Sequence, residues 1–274
     1  MNAVLNTSFA SRASTFDEPL SLEDVQHRAP AVFAFCAHES RSSKYTFIPT
    51  ARVLEGLMNA GFVPMDARQA NTRIASPLHA RHVVRLRRRY ETVALRDAVP
   101  EVVFLNSHDG TSAYQLRMDV FRVVCANGLI VSRGAFPGVC VAHRGNVIDE
   151  VIEGAIRIAD RFDSLAGQVE RMEHHQLGMD EKVQFAEAAL ALRHPDALES
   201  RMQSSQLLRV RRAEDSGSDV WSVLNRVQEN LLRGGLTRRP VLGRLSRTRR
   251  MSSIREEVRI NSRLWDLASQ AMAG

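Results

Sequence analysis

The sequence predicts an α+β fold: an antiparallel β-meander of three or more strands packed on helices, followed by a mainly helical C-terminal half. Three observations predict it. Val102 to Leu105 is apolar at every position, as a strand buried on both faces reads. Tyr114 to Val120 alternates, with Tyr114, Leu116, Met118 and Val120 on one face and Gln115, Arg117 and Asp119 on the other. Asp109-Gly110 and Asn127-Gly128 separate the apolar runs, and such pairs form hairpin turns because Gly accepts positive φ without steric cost. The competing reading makes Tyr114 to Cys125 a helix ended by Gly128.

Taken in order, residues 1–28 are polar and aperiodic and are expected to form a mobile arm. A core domain is expected over 29–212 and a helical, Arg-rich extension over 213–274. Ala29 to Phe35 starts the folded part. Thr50 reads as the N-cap of a helix over Ala51 to Asn59, with Val53, Leu54, Leu57 and Met58 on its apolar face, Gly61 past its end and Pro64 as a stop. Asp66 to Ala80 reads as loop. Arg81 to Arg89 reads as a strand, with His82, Val84 and Leu86 on one face and Val83, Arg85, Arg87 and Arg89 on the other. After the meander, Val147 to Gln176 has one broad apolar side and reads as a long helix, followed by a second over Met179 to Leu192. Ala213 to Asp219 reads as a linker. Val220 to Leu232 and Ile254 to Met272 read as helices, the latter docked through Trp265. Between them, Gly234 to Ser253 reads as an exposed, mobile, Arg-rich loop.

NSHDGTSA followed by FRVVCANGLIV, from Asn106 to Val131, resembles the signature of a family encoded by phages and plasmids and catalogued as domain of unknown function 932. APAVFA (Ala29 to Ala34), YTFIPT (Tyr45 to Thr50), AGFVP (Ala60 to Pro64), WSVLNRVQENLLRGG and INSRLWDLA are similar to further parts of that pattern, so the resemblance spans most of the chain. It implies a mobile-element setting and carries no assigned catalytic residue. Asn106, His108, Asp109, Arg122, Cys125 and Asn127 are the motif positions whose role it leaves open.

With 44% apolar residues, the 274-residue chain can bury a core, and no run approaches the ~20 apolar residues of a membrane span. No charged-then-apolar secretory leader is visible at the N-terminus, and Cys36, Cys125 and Cys140 form no even framework; a cytoplasmic protein is expected. Net charge is +6, and of 37 basic residues only Lys44 and Lys182 are lysines. A G+C-rich genome, which favours Arg codons, is the bland reading of that ratio, but it does not explain where the arginines cluster. Arg81 to Arg89 contains no acid, and neither does Leu231 to Arg255. Guanidinium groups suit phosphate, and neutralising phosphates releases counterions.

Catalytic chemistry is poorly represented. His108 and Asp109 could form an acid–base pair, but adjacent residues of a tight turn point apart. Cys140 and His143 have metal-like spacing, to which Cys125, His108, His174 or His175 could add, but a zinc site needs four ligands and no second pair is spaced that way. Neither a catalytic residue nor a cofactor or metal is assigned. The expected function is binding of nucleic acid, with single-stranded DNA in replication or recombination as the first candidate, through Arg85, Arg87, Arg89, Tyr90, Arg117, Arg238, Arg239, Arg247, Arg249 and Arg250. The order helix, meander, long helix is also similar to the core of single-strand annealing proteins of the Rad52 and phage-recombinase type, an analogy of fold alone. A homo-oligomer is a further expectation. The alternatives are an enzyme of nucleic-acid metabolism and an anti-defence or interaction protein that contacts a host protein.

Overall fold

The computed structural model describes residues 18–36, 47–71, 77–90, 93, 95, 98–109, 112–122, 127–130, 136–142, 146–239 and 244–273. The chain forms two compact units, Met1–Gly128 with Pro137–Phe162, and Leu129–Phe136 with Asp163–Gly274. The supposed linker is tied into the second unit: Asp215 and Asp219 are buried, and the Leu177 N–H donates to the Ser218 carbonyl at 2.9 Å.

In the first unit, part of the expected arm is a helix. α1 (Leu22–Arg28) is closed by a reciprocal cap, in which the Asp24 N–H donates to the Ser21 hydroxyl at 3.1 Å and the Ser21 N–H to the Asp24 carboxylate at 2.9 Å. Residues 1–17 lie outside the described residues. β1 (Phe62–Gln69) occupies a stretch expected to be a stop and a loop. Pro64 misled that reading. It sits on an edge strand, where its missing N–H removes no ladder bond, and the register shifts between Pro64 and Asp66. The free edge is covered from the N-terminal side: the Leu20 N–H donates to the Pro64 carbonyl at 2.7 Å, and Arg28 pairs with Asp66 at 3.3 Å.

α2 (Thr50–Asn59) begins on Thr50 itself, after Pro49, and ends before Gly61 at φ +91°. The sheet runs β1, β2 (His82–Arg88), β3 (Ala98–Asn106), β4 (Tyr114–Arg122), β5 (Asn127–Ile130), with β6 (Val139–Val141) also paired to β4. β4 is a strand, which excludes the helical reading of Tyr114 to Cys125; Cys125 itself lies outside the described residues. Register puts Val84, Phe104 and Leu116 side by side, and Leu86, Val102 and Met118 beside them. All six are buried. α3 (Val147–Ala159) covers this face. Gly154 permits the approach, because a Cβ there would stand 2.9 Å from Val139 Cγ1 and 3.0 Å from Leu116 Cδ1.

The long helix expected over Val147 to Gln176 is two, α3 and α4 (Phe162–His174). The apolar stripe runs through the break with no Gly or Pro at it, so periodicity carried no sign of it. Asp160 leaves the helix there with its carboxylate 3.0 Å from Arg88.

In the second unit, α6 (Val220–Arg233) is buried from Val220 to Leu232 and packs against α5 (Met179–Arg193) and α7 (Ile254–Ala271). Its polar side chains are bonded inside. The Arg226 guanidinium donates to the carbonyls of Asp215, Leu208 and Gly217 at 3.0, 3.4 and 2.5 Å, and the Asn230 amide to those of Leu207 and Arg209 at 2.9 Å. Trp265 is fully buried on α7. The run from Gly234 to Ser253 keeps its arginines largely exposed, as expected, but it includes a short hairpin, β7 (Thr237–Arg238) with β8 (Ser246–Arg247). Gly234 turns the chain into it at φ +72°.

Gly154→Val is expected to lower stability by ~1–3 kcal/mol through overpacking against β4 and β6. Gly167→Ala, in α4 with only the tip of Arg171 within 4 Å, is expected to raise it by ~0.5–1 kcal/mol. Thermal or urea unfolding of the two variants checks both signs.

Candidate functional site

Three groups of polar residues stand out. The first lies at the start of α2. The Thr50 hydroxyl oxygen is 2.9 Å from His82 Nε2, 3.1 Å from His108 Nε2 and 2.9 Å from Asn106 Nδ2. His82 Nδ1 lies 2.9 Å from the Ala80 carbonyl and must donate to it. Its Nε2 is therefore the acceptor for the Thr50 O–H, and the Thr50 oxygen accepts from Asn106 and from the His108 Nε2–H. The hydroxyl is saturated, with one proton given and two received. All four residues are buried, so the cluster ties α2 to the ends of β2 and β3 with no side open to a substrate.

His108 was expected on the hairpin tip. It is buried, 5.0 Å from the Phe47 ring and 5.2 Å from that of His82 between centroids. Asp109 turns away and accepts from the Ser107 hydroxyl at 2.7 Å. The two do not act as one pair. Burial pushes the His82 imidazole down to about 4, against the opposing pull of the Ala80 carbonyl and the Asp109 charge.

The second group is the expected arginine ladder, and here the structure corrects the sequence reading. Arg85 and Arg87 do not line an open phosphate track. Both donate to Glu101 on β3, Arg85 Nε at 2.7 Å and Arg87 Nε at 2.8 Å, and the carboxylate is fully buried. The Arg85 guanidinium also lies 3.6 Å above the centre of the Phe121 ring. Glu101, one strand away, reaches both guanidinium groups. Arg117 is half-buried and donates to Gln115 at 3.2 Å, and Arg122 is buried. Only the end of the ladder opens to solvent. Arg89 is exposed, and Tyr90 is 89% exposed at φ +63°. Arg87 to Tyr90 also line a cleft of about 550 Å³.

The third group is on the second unit. Arg239, Arg244, Arg247, Arg249 and Arg250 are exposed, and none of them has an ion pair among the described residues. Arg238 differs: it is engaged by Asp196 and Ser200. Further tethers lay the hairpin beside the loop before α6. The Arg239 N–H donates to the Ser200 carbonyl at 2.8 Å, and the Gln206 amide exchanges bonds with the Thr237 backbone at 2.7 and 3.2 Å. That loop also carries Arg201 and Arg209, both exposed. Sequence reading missed these two. The basic run Arg209 to Arg212 was a signal for Arg209, whereas Arg201 is isolated in sequence.

Cys140 is exposed, His143 lies outside the described residues, and among the described residues no three His, Cys, Asp or Glu side chains gather. Asn127 opens β5.

Residues 37–265 match the family described as Domain of unknown function (DUF932). The chain belongs to this family. It is similar to two Escherichia coli (strain K12) proteins, the UPF0380 protein YafZ, at 39% identity, and the UPF0380 protein YfjQ, at 38%. Each match covers 255 residues, 92% of this chain and 91% of the relative. No solved structure matches. Among the described residues of this DUF932 chain, no helix is long and apolar enough to cross a membrane.

Glu101→Gln leaves two buried guanidinium groups without their carboxylate and is expected to cost ~3–5 kcal/mol in urea unfolding. A second expectation concerns pH. The unfolded chain protonates His82 near 6.5, the folded chain only near 4. The His82 contribution is therefore intact above pH 6.5, falls as pH drops from 6.5 to 4, and levels off below. The full loss is ~3 kcal/mol. A His82→Gln variant compared with the parent across that window should show a shallower decline.

Proposed function

We propose that this protein binds nucleic acid through the exposed arginines of its second unit. The observation that carries the reading is that Arg239, Arg244, Arg247, Arg249 and Arg250 project to solvent with no acid among the described residues paired to them. Two other arginines of the same unit are taken up by protein groups. Arg226 is bonded to backbone carbonyls and Arg212 to Glu229. Apart from Arg238, the arginines of this run have no such partner among the described residues, and guanidinium forks in water suit phosphate oxygens.

The contacts are to the backbone of the nucleic acid, so binding is sequence-blind and strongly salt-dependent. Single-stranded DNA is the proposed partner, and the setting is cytoplasmic replication or recombination of a mobile element, with self-association along the strand. Support for that setting is the sequence resemblance described above. The buried Thr50 cluster does not favour an enzyme, because its hydroxyl is saturated and enclosed.

Affinity for single-stranded and duplex DNA across a salt series tests the reading. Each hairpin arginine that meets a phosphate should, when changed to Ala, weaken binding equally across sequences and reduce the log–log salt slope by ~1. Arg238→Ala should leave the slope nearly unchanged, since that side chain is engaged by Asp196. A folded variant lacking all five exposed arginines but retaining affinity and slope would overturn the proposal. Shortening of the strand on adding Mg²⁺ would make the protein an enzyme.

A further inference from the structure

The cleft at the end of β2 has features that phosphate contact by the second unit does not use. Its volume, about 550 Å³, falls within the ~300–1,000 Å³ of small-molecule sites. The walls are apolar, with Leu20, Met58, Val63 and Val99 among them, while Arg88, Arg89 and Tyr90 come together from one turn.

Tyr90 is the residue that needs explaining. It covers no core, being 89% exposed, yet its backbone is held at φ +63°, a region a bulky residue seldom adopts. The turn is imposed by the end of the strand pair, where the Arg89 N–H donates to the Gly61 carbonyl at 2.7 Å. The ring is left largely in water, and strain of this kind concentrates at binding sites.

Two exposed arginines stand beside the ring. Arg88 meets Asp160 in an exposed pair at 3.0 Å, which leaves other N–H groups of its fork available. Arg89 is exposed, with no ion pair among the described residues.

We propose that this cleft is a nucleotide site, in which an unpaired base stacks on Tyr90 against the apolar wall and its phosphate meets Arg89 and the outer edge of Arg88. A flat ring, an apolar wall and guanidinium groups together match a base joined to a phosphate. A lipid tail would leave the arginines idle, and an acidic peptide would leave the ring idle. The site rests on the nucleic-acid reading only if the nucleotide comes from a strand; a free nucleotide has the same chemistry.

The test uses the full chain with an oligo-dT strand carrying one 2-aminopurine, the matched duplex, and 5′-dAMP, adenosine and inorganic phosphate as separate probes. On the single strand, Tyr90 should quench 2-aminopurine. Tyr90→Ala should abolish the quench and weaken binding roughly 5- to 100-fold, the equivalent of ~1–3 kcal/mol per stacked base. Tyr90→Phe should retain both, and duplex affinity should not change. Arg89→Ala should keep the quench and lower the salt slope by ~1. Because the Tyr90 side chain is exposed, these variants should melt with the parent.

If Tyr90→Ala binds the strand as the parent does while the hairpin variant does not, the cleft is not the site and the nucleic-acid reading stands. If the parent binds neither strand, that reading falls and 5′-dAMP decides the cleft. Saturable binding of 5′-dAMP lost in Tyr90→Ala, with none of adenosine or phosphate alone, keeps the cleft as a free-nucleotide site. No binding of 5′-dAMP in that case overturns it.

Discussion

A guanidinium held out of water on a sheet face needs a carboxylate within hydrogen-bond reach, and Glu101 is that group for both Arg85 and Arg87. The consequences run along β2 in both directions. Towards the strand's centre, the clamp lets a charged face be buried, so that Glu101, Asp119 and Phe121 are each at most 1% exposed. Towards its end, the clamp occupies the inner arginines, whereas Arg88, Arg89 and Tyr90 are exposed. The opposite face carries the apolar core, and its packing is close enough that a glycine, Gly154, is what fits between α3 and β4.

The second unit uses arginine in a different way. Arg226 on the buried helix α6 holds loop carbonyls, and Arg193 reaches the carbonyls of Leu231 and Arg249. A planar fork of five donors can satisfy several carbonyls that would otherwise be buried without partners. The abundance of arginine is therefore not one signal. Some arginines neutralise an internal acid, some bind backbone, and some stay in water. Those left in water include five on the run after α6 and Arg89 at the end of β2.

The Thr50 cluster shows the same economy among neutral groups. Two histidines and an asparagine converge on one hydroxyl, and burial holds His82 neutral. Such a network specifies register, because moving any member leaves another unsatisfied. It gives the Asn106 and His108 positions of the NSHDG motif a structural role, at the junction of α2, β2 and β3.

What the sequence determined alone was the set of elements whose periodicity is local: the alternation of Tyr114 to Val120, the strand at His82 to Arg88, the apolar stripes of α3, α6 and α7, and the burial of Trp265. Side-chain period follows from backbone geometry, so it is written in neighbouring residues. Tertiary structure decided what is paired with what. That Pro64 lies in an edge strand, that residues 22–28 form a helix against it, that the Val147 helix breaks at Asp160, and that Thr50 serves as a hub rather than a cap all depend on partners distant in sequence. The same holds for the arginines. Charge is legible residue by residue, but whether a charge is free depends on a carboxylate brought within ~3 Å by folding, and Coulomb attraction at that range outweighs any preference written along the strand.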